Sequence, residues 1–267
     1  MKSIKTVKLF TNENEQSKAV YNILKTKLLI EGFDLVGENP ELSIAIGGDG
    51  SFIRMLKTSE YNENTMYVGI NAGTLGFLQE IEIKELDFFV QNIKNGNYTI
   101  IETGIQKNTI KTKTETKKFH SLNEIMIRRK DLSLAKFDIN IDNIHTERFI
   151  GDALIICTSV GSTAHSLSYG GAIIHDSLYT MQLIPVGAVN NIINQTLKNP
   201  MVLPDNVQIE ILPIKESSNI IASIDGENFE FNEVKCITTN VCSKKIKRLR
   251  LNHINFFKKL NSKFVTK

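Results

Sequence analysis

Three glycines and one aspartate, Gly47-Gly48-Asp49-Gly50, lie between an apolar segment and the start of a helical pattern. Glycines at a strand-to-helix turn let backbone N–H groups come close to a phosphate, and the positive end of the helix dipole favours anions. The segment is neither a Walker loop nor a G-x-G-x-x-G motif. It therefore predicts an anion site outside the two common nucleotide-binding motifs.

Asp49 is an unusual residue for a phosphate-binding turn, because its carboxylate repels phosphate. It fits such a turn if it binds Mg²⁺ or accepts a proton from an attacking hydroxyl. The alternative is that Asp49 only caps the helix, since Asp is a favoured N-cap residue. Arg54 follows one helical turn later and either directs its guanidinium at the same phosphates or is solvated.

A second turn, NAGTLGFL at 71–78, also follows a predicted strand. Open α/β sheets bind ligands where such strand-end loops lie side by side. The alternative is an ordinary turn whose Phe77 and Leu78 pack in the core.

A third segment, GDALIICTSVGSTAHSLSYGGAI at 151–173, combines a strand with a predicted small-residue helix. Hydroxyls and N–H groups at the start of that helix suit the phosphates, ribose and base edges of a nucleotide. The alternative is a helix of small residues that packs tightly. Ser162 is a poor candidate nucleophile because nothing supplies a base.

The first hundred residues supply the strands and helices that these motifs need. Short β-like runs alternate with segments whose apolar residues recur every three or four positions. The predicted strands are 5–10, 42–46 and 66–71, and the predicted helices are 17–32, 50–59 and 83–96. This alternation predicts a doubly wound α/β domain with a parallel sheet covered on both faces.

After about residue 98 the pattern changes to closely spaced runs of period two. Asp142-Asn143 and Asp225-Gly226 are typical of β-hairpin turns, so we expect an all-β, sandwich-like second domain. A basic amphipathic pattern in the last residues predicts a helix that returns to the first domain. The expected domains are 1–98, 99–243 and a C-terminal segment 244–267.

The composition excludes several classes of protein. The chain has 267 residues, of which 41% are hydrophobic and 23% charged, and these values exclude disorder, collagen and coiled coil. Three cysteines without C-x-x-C spacing predict neither a disulfide framework nor a zinc site. No secretory signal pattern opens the sequence. We therefore expect a cytoplasmic protein with no resident metal site.

Charge is unevenly distributed along the chain. Ten Lys or Arg and no Asp or Glu follow Glu233, whereas Asp176 is the one formally charged residue between 153 and 197. The uncharged stretch contains too many polar residues to span a membrane, so we interpret it as protein interior and ligand cleft. The basic excess is confined to the tail, and there is no Trp, which disfavours nucleic-acid binding.

The three segments and the LNE of 122–124, taken together and in this order, resemble the NAD kinases. The set spans 44–174, and the two-domain pattern extends the match over nearly the whole chain. The resemblance implies an α/β N-terminal domain, a β-rich C-terminal domain and active homodimers or homotetramers. It also implies phosphoryl transfer from ATP, or in some members polyphosphate, to the 2′-hydroxyl of the NAD adenosine ribose. NADP is the product, and Mg²⁺ or another divalent cation is required.

The resemblance assigns roles to residues at matching positions. Asp49 matches the proton acceptor for the 2′-hydroxyl, and Arg54 matches an arginine that many members use on the phosphates. Asn123 and Glu124 match the pair that binds the adenosine and its ribose hydroxyls. Asp152 matches the acidic residue before Gly161-Ser162-Thr163, and we call residues 161–168 the GST segment. The other expected nucleotide-binding residues are Gly48, Gly50, Thr163, Ala164, His165, Ser166, Leu167, Ser168 and Gly187.

The sequence departs from the family pattern at four positions. Val160 and His165 replace the usual proline and tyrosine around the GST segment, and Ile150 stands where many members carry Arg or Lys. Ser51 replaces the usual threonine, which is a conservative change. An imidazole at 165 is still able to stack on a base or donate a hydrogen bond.

Two other hypotheses remain at this stage. Lipid and sugar kinases share the Gly-Gly-Asp-Gly turn, but NAGTLGFL and the GST segment favour a dinucleotide substrate. A dinucleotide sensor that has lost the chemistry is suggested by His165 and Ile150, although Asp49 argues against it. The expected partners are therefore NAD and ATP, without nucleic acid or membrane.

Overall fold

The computed structural model describes residues 3–73, 76–190, 195–251 and 255–264. The chain forms two compact units, Met1–Thr103 with Lys245–Lys267 and Gly104–Lys244. We call these the first unit and the second unit. In the described ranges, no helix is long and apolar enough to cross a membrane.

The first unit is built on parallel strands with helices between them. Its elements are β1 Thr6–Thr11, α1 Glu15–Ile30, β2 Asp34–Leu35, β3 Leu42–Gly47, α2 Asp49–Thr58, β4 Met66–Asn71, β5 Ile81–Glu82, α3 Leu86–Asn95 and α4 Phe256–Phe264. The strands pair in the order β2-β1-β3-β4, and β5 pairs with the end of β4, all in parallel. The predicted doubly wound α/β arrangement is confirmed.

The helices α1, α2 and α3 begin and end within three residues of the predicted bounds. In α1 the Asn14 side chain accepts a hydrogen bond from the Ser17 N–H, which satisfies one of the free donors of the first turn. Val20, Leu24 and Leu28 recur every four residues and are buried against the sheet core. α3 ends at Gly96, whose φ of 72° is the left-handed conformation that glycine adopts readily.

The second unit is a sandwich of two antiparallel sheets. Its strands are β6 Thr99–Thr112, β7 Thr116–Ser121, β8 Glu124–Arg129, β9 Ala135–Ile141, β10 Ile144–Gly151, β11 Ala153–Thr158, β12 Thr180–Val186, β13 Met201–Pro204, β14 Ile209–Pro213, β15 Ile220–Ile224, β16 Glu227–Phe231 and β17 Val234–Arg250. The first residues of β6 and the last residues of β17 belong to the first unit. One sheet has the order β10-β9-β14-β17 with β6 and β7, and the other has the order β13-β12-β11-β8-β15-β16. Alternate residues of both sheets form one apolar core, as period-two patterning predicts.

Both predicted hairpin turns are present. Asp142 and Asn143 have φ values of 49° and 66°, and Asp225 and Gly226 have 47° and 81°. These positive values are those of the two-residue turns whose twist suits a hairpin. The α-helix predicted after Gly161 is wrong, because the chain there forms two short 3₁₀ turns, Val160–Thr163 and His165–Tyr169.

A closed ring of buried polar side chains lies inside the second unit. Gln106 donates to the Thr239 hydroxyl at 2.7 Å, and that hydroxyl donates to Asn108 at 2.7 Å. Asn108 donates to Ser121 at 3.0 Å, and Ser121 donates back to Gln106 at 3.1 Å. Because every member has partners, the ring holds β6, β7 and β17 in register without a buried unpaired group.

Thr239→Val tests this ring. Valine has the shape of threonine but leaves the Gln106 amide and the Asn108 carbonyl without the hydroxyl, so we expect a loss of about 1–3 kcal/mol in the free energy of unfolding. Urea denaturation measures it. Thr238→Val, on the neighbouring and less buried position, is the control, and an equal loss in both variants would contradict the role of the ring.

Candidate active site

The glycine turn at the end of β3 has one position that only glycine suits. Gly47 has φ 143°, and a Cβ there would lie 2.3 Å from the Ser51 hydroxyl oxygen. Gly48 is the N-cap of α2, and Asp49 is the first residue of the helix. The interpretation of Asp49 as the capping residue is therefore wrong. Its carboxylate is available for other partners.

Those partners come from the second turn. The Phe77 N–H donates to Oδ2 of Asp49 at 3.0 Å, and the Leu78 N–H donates to Oδ1 at 3.0 Å. A Cβ on Gly76 would lie 2.0 Å from Oδ1, so the loop approaches this closely only with glycine there. Two separate donors fix the orientation of the carboxylate. Thr74 and Leu75 of the same turn lie outside the described residues.

The other predicted residues of this turn face solvent. Gly50 and Arg54 are exposed, and Gly48 is partly exposed. Arg54 and Asp49 share α2, so the predicted guanidinium lies on the helix that carries the carboxylate. N–H groups at the start of a helix together with an arginine form an arrangement that suits an anion.

In the second unit, one carboxylate organises the Asn123-Glu124 pair. Asp225 accepts hydrogen bonds from the N–H groups of Leu122 at 2.8 Å, Asn123 at 2.8 Å and Glu124 at 3.2 Å. Sequence reasoning noticed Asp225 only as half of a hairpin turn and missed this role. Asp side chains commonly bind backbone N–H groups in turns, so the residue type indicated such a role. The N–H groups that Asp225 binds, however, lie about a hundred residues away along the chain.

Glu124 lies in a site that disfavours its charged form. Its side chain is buried, with 5% of the residue exposed. Burial, and to a smaller extent the negative charge of Asp225, raise the pKa of the carboxyl to about 8, against the opposing effect of the His165 N–H. At neutral pH the carboxyl is therefore mainly protonated and is able to donate a hydrogen bond to a ligand oxygen or nitrogen.

The GST segment lies directly against this pair. A Cβ on Gly161 would be 2.1 Å from the Asn123 carbonyl oxygen. The Ser162 hydroxyl donates to the Ile174 carbonyl at 3.2 Å, and the Ser166 hydroxyl donates to the Gly161 carbonyl at 2.9 Å. These two buried hydroxyls therefore bind carbonyl oxygens within the second unit.

The remaining predicted residues of the segment differ in exposure. Thr163 is buried, Ala164 and Leu167 are half-buried, and His165 and Ser168 are exposed. The His165 ring makes an edge contact with Tyr169, with 5.1 Å between ring centroids. An exposed imidazole next to a buried carboxyl is thus the aromatic surface that the segment offers.

Asp152 and Gly187, far apart in the sequence, are neighbours in the structure. Gly187 has φ 60°, and a Cβ there would lie 2.1 Å from Oδ2 of Asp152. Asp152 is exposed, whereas Ile150 is buried at 6% exposure. The Ile150 side chain therefore offers neither a cation nor a hydrogen-bonding group, and Asp152 contributes the charge at this place.

The described part of the chain contains no group of three His, Cys, Asp or Glu residues that suits a metal ion. The prediction of a divalent cation therefore has no preformed protein cage to support it. Mg²⁺ commonly takes one or two carboxylates together with substrate phosphates, and Asp49 at the glycine turn fits that requirement.

Comparisons with known proteins agree with each other. Residues 122–251 match the family described as ATP-NAD kinase C-terminal domain. The NAD kinase of Finegoldia magna is 31% identical over 254 residues, with 92% of each chain covered, and that of Staphylococcus carnosus is 32% identical over 232 residues, with 86% of each covered. A crystal structure of yeast NADH kinase complexed with NADH covers 100% of this chain and 90% of its own, with a TM-score of 0.89 and 18% identity. This last similarity concerns the fold.

Gly76→Ala tests the contact at Asp49. The added methyl displaces the carboxylate from the Phe77 and Leu78 N–H groups, so we expect faster amide exchange there and a loss of about 1–3 kcal/mol in stability. Gly73→Ala is the matched control, because a Cβ at Gly73 meets nothing within 4 Å. Unchanged exchange in Gly76→Ala would contradict the arrangement.

The raised pKa of Glu124 predicts a pH dependence of stability. Since the folded pKa of about 8 exceeds the ordinary 4.5, the folded state binds more protons between these values, and stability falls as pH rises through this window. Glutamine at position 124 does not titrate, so Glu124→Gln removes the contribution of this carboxyl to the loss of stability with rising pH. Thermal unfolding midpoints across that range should therefore rise in the variant relative to the parent as pH increases. Glu216→Gln, at an exposed position, is the control, and parallel curves for Glu124→Gln would exclude the shift.

Proposed function

The chain belongs to the NAD kinase family, and we propose that it transfers the terminal phosphoryl group of ATP to the 2′-hydroxyl of the adenosine ribose of NAD. The products are NADP and ADP. The single observation that carries the residue assignment is the carboxylate of Asp49, held by two backbone N–H groups at the start of a helix beside a glycine turn.

In the proposed reaction the 2′-hydroxyl oxygen attacks the terminal phosphorus of ATP. A new O–P bond forms while the bond from that phosphorus to the β–γ bridging oxygen breaks, and ADP leaves with the bond electrons. The hydroxyl proton passes to a carboxylate oxygen of Asp49. The fixed orientation of this carboxylate supports the role, because positioning and charge do most of the work in phosphoryl transfer.

The phosphates are proposed to bind at the glycine turn. The N–H groups of Gly48 and Gly50, the positive end of α2 and the Arg54 guanidinium supply donors and charge. We propose that a divalent cation, Mg²⁺ or another ion, would arrive with ATP and would be held by its phosphates at the glycine turn, so that the Asp49 carboxylate remains able to accept the proton. When bound, it neutralises charge on the transferring group. Polyphosphate is the alternative donor.

The adenosine of NAD is proposed to bind at Asn123 and Glu124. A protonated Glu124 donates a hydrogen bond to a ribose hydroxyl, and the Asn123 amide is able both to donate and to accept. The proposed dinucleotide contacts along the GST segment are Thr163, Ala164, His165, Ser166, Leu167 and Ser168, with Asp152 and Gly187 beside them. Because the Ser166 hydroxyl is already bonded to Gly161, we assign it a contribution of shape, and we assign His165 the stacking surface.

The organisation of the protein is also a proposal. Residues 1–98 would bind the phosphates and residues 99–243 the dinucleotide, with the C-terminal segment 244–267 returning to the first domain. The contacts of α4 within the first unit support the last point. Family resemblance supports a cytoplasmic homodimer or homotetramer.

Asp49→Asn tests the proposed mechanism. Asparagine keeps the shape but is not a base, so we expect NADP formation from ATP, Mg²⁺ and NAD to fall on the order of 10²- to 10⁴-fold, with the circular dichroism spectrum unchanged. Asp87→Asn, an exposed position on α3, is the control. Full turnover in Asp49→Asn would remove Asp49 from this role.

The same assay separates the alternatives. NAD binding in calorimetry without any NADP formation by the parent protein would indicate a sensor. Phosphorylation of a lipid or a sugar in place of NAD would indicate a kinase that shares only the glycine turn.

A further inference from the structure

The turn that holds Asp49 is itself held by a side chain from the C-terminal helix. Lys259 of α4 places its ammonium 3.0 Å from the Phe77 carbonyl oxygen and 3.0 Å from Oε2 of Glu80. The Glu80 side chain is buried, with 2% exposed, and the Lys259 side chain is partly buried, with 11% exposed. Both acceptors belong to the short segment 76–80, which also supplies the two N–H groups on Asp49.

Glu80 has a second cationic partner. The Arg250 guanidinium contacts Oε1 of Glu80 at 3.1 Å, so one buried carboxylate bridges two positive side chains from the C-terminal residues. Burying such charges is expensive, and a buried ion pair commonly adds little to net stability compared with apolar packing. A role in fixing local geometry accounts for the cluster better than a role in stability alone.

The connection between Lys259 and Asp49 runs through one peptide group. The Phe77 carbonyl and the Leu78 N–H belong to the same planar peptide group. The carbonyl oxygen of this peptide accepts from the Lys259 ammonium, and its N–H donates to the Asp49 carboxylate. A charged group at each end of one peptide polarises the unit and strengthens both hydrogen bonds. Displacement of the Lys259 ammonium would release the oxygen and let the N–H rotate away from Asp49.

The Phe77 side chain is held by the same helix. Its ring centroid lies 6.2 Å from that of Phe256 and 5.7 Å from that of Phe264, and the Lys263 ammonium lies 4.7 Å from the ring centre. α4 therefore contacts both the backbone and the ring of Phe77. Through Phe77, α4 is connected to the Asp49 carboxylate.

We propose that Lys259 is a positioning residue for Asp49: by binding the Phe77 carbonyl and Glu80, it orients the peptide whose N–H holds the catalytic carboxylate. The proposal rests on the role of Asp49 proposed above. It makes the C-terminal helix a part of the catalytic apparatus without any contact to substrate.

The experiment compares Lys259→Met, Lys259→Arg and the control Lys258→Met. Lys258 is the exposed neighbour on α4, so its variant carries the same change in charge and composition. In Lys259→Met we expect kcat to fall on the order of tenfold or more while the KM for NAD stays within about twofold. Lys259→Arg, which keeps a buried cationic donor, should retain most of kcat, and Lys258→Met should match the parent.

Hydrogen exchange at the Phe77 and Leu78 amides, compared with that of β1 and β3, distinguishes a positioning role of Lys259 from a general loss of stability. In Lys259→Met the Phe77 and Leu78 amides should exchange on the order of tenfold faster, while the amides of β1 and β3 are unchanged. A fall in kcat without faster exchange at these two amides would overturn the proposal, and so would an unchanged kcat. If Lys259→Met does not fold, Lys259→Gln, which keeps a polar group but not the ion pair, takes its place under the same criteria.

The two readouts distinguish failure of this proposal from failure of the proposed function. A parent protein that makes no NADP, or an Asp49→Asn variant with full turnover, would remove the proposed function. Exchange at Phe77 and Leu78 does not depend on turnover, and unchanged exchange in Lys259→Met would remove the positioning role alone.

Discussion

The pair of hydrogen bonds from Phe77 and Leu78 to the Asp49 carboxylate is the contact on which the proposed chemistry of the first unit depends. A carboxylate at the start of a helix is otherwise free to rotate or to bind cations indiscriminately. Here a loop approaches it closely because Gly76 has no Cβ, and Lys259 of the C-terminal helix contacts Phe77 and Glu80 of that loop. The position of the Asp49 side chain therefore depends on β3 and the glycine turn before it, on the loop 76–80 that binds it, and on the C-terminal helix that binds this loop.

In the second unit a carboxylate also accepts hydrogen bonds from backbone N–H groups, but there it orders a neighbouring pair of residues. Asp225 accepts three backbone N–H groups and so fixes the conformation of the Asn123-Glu124 pair. Its negative charge, together with burial, raises the pKa of Glu124. One carboxylate thus accepts backbone N–H groups while the pKa of its neighbour is raised, and the difference comes from their surroundings rather than from residue type.

The GST segment differs in local structure from its prediction, while the assignment of its residues to the dinucleotide stays a prediction. Its small residues suggested a helix with hydroxyls facing a ligand, but the chain forms two 3₁₀ turns, and the Ser162 and Ser166 hydroxyls bind carbonyls within the unit. Gly161 is needed because it lies against the Asn123 carbonyl. Hydroxyls in an uncharged stretch satisfy the backbone groups of irregular turns, and local sequence does not distinguish that use from ligand binding.

The sequence by itself determined the two fold classes, the main helix ends and both hairpin turns, because apolar period, caps and turn residues act over a few neighbouring positions. Ordered motifs also led to the family and to Asp49. Only the tertiary structure decided which groups meet Asp49, that Asp225 organises Glu124, that Glu124 is mainly protonated, and that Lys259 reaches Phe77. Those contacts join residues about 28 to 182 positions apart, and hydrogen bonding and desolvation at such separations follow from packing, which no local pattern encodes.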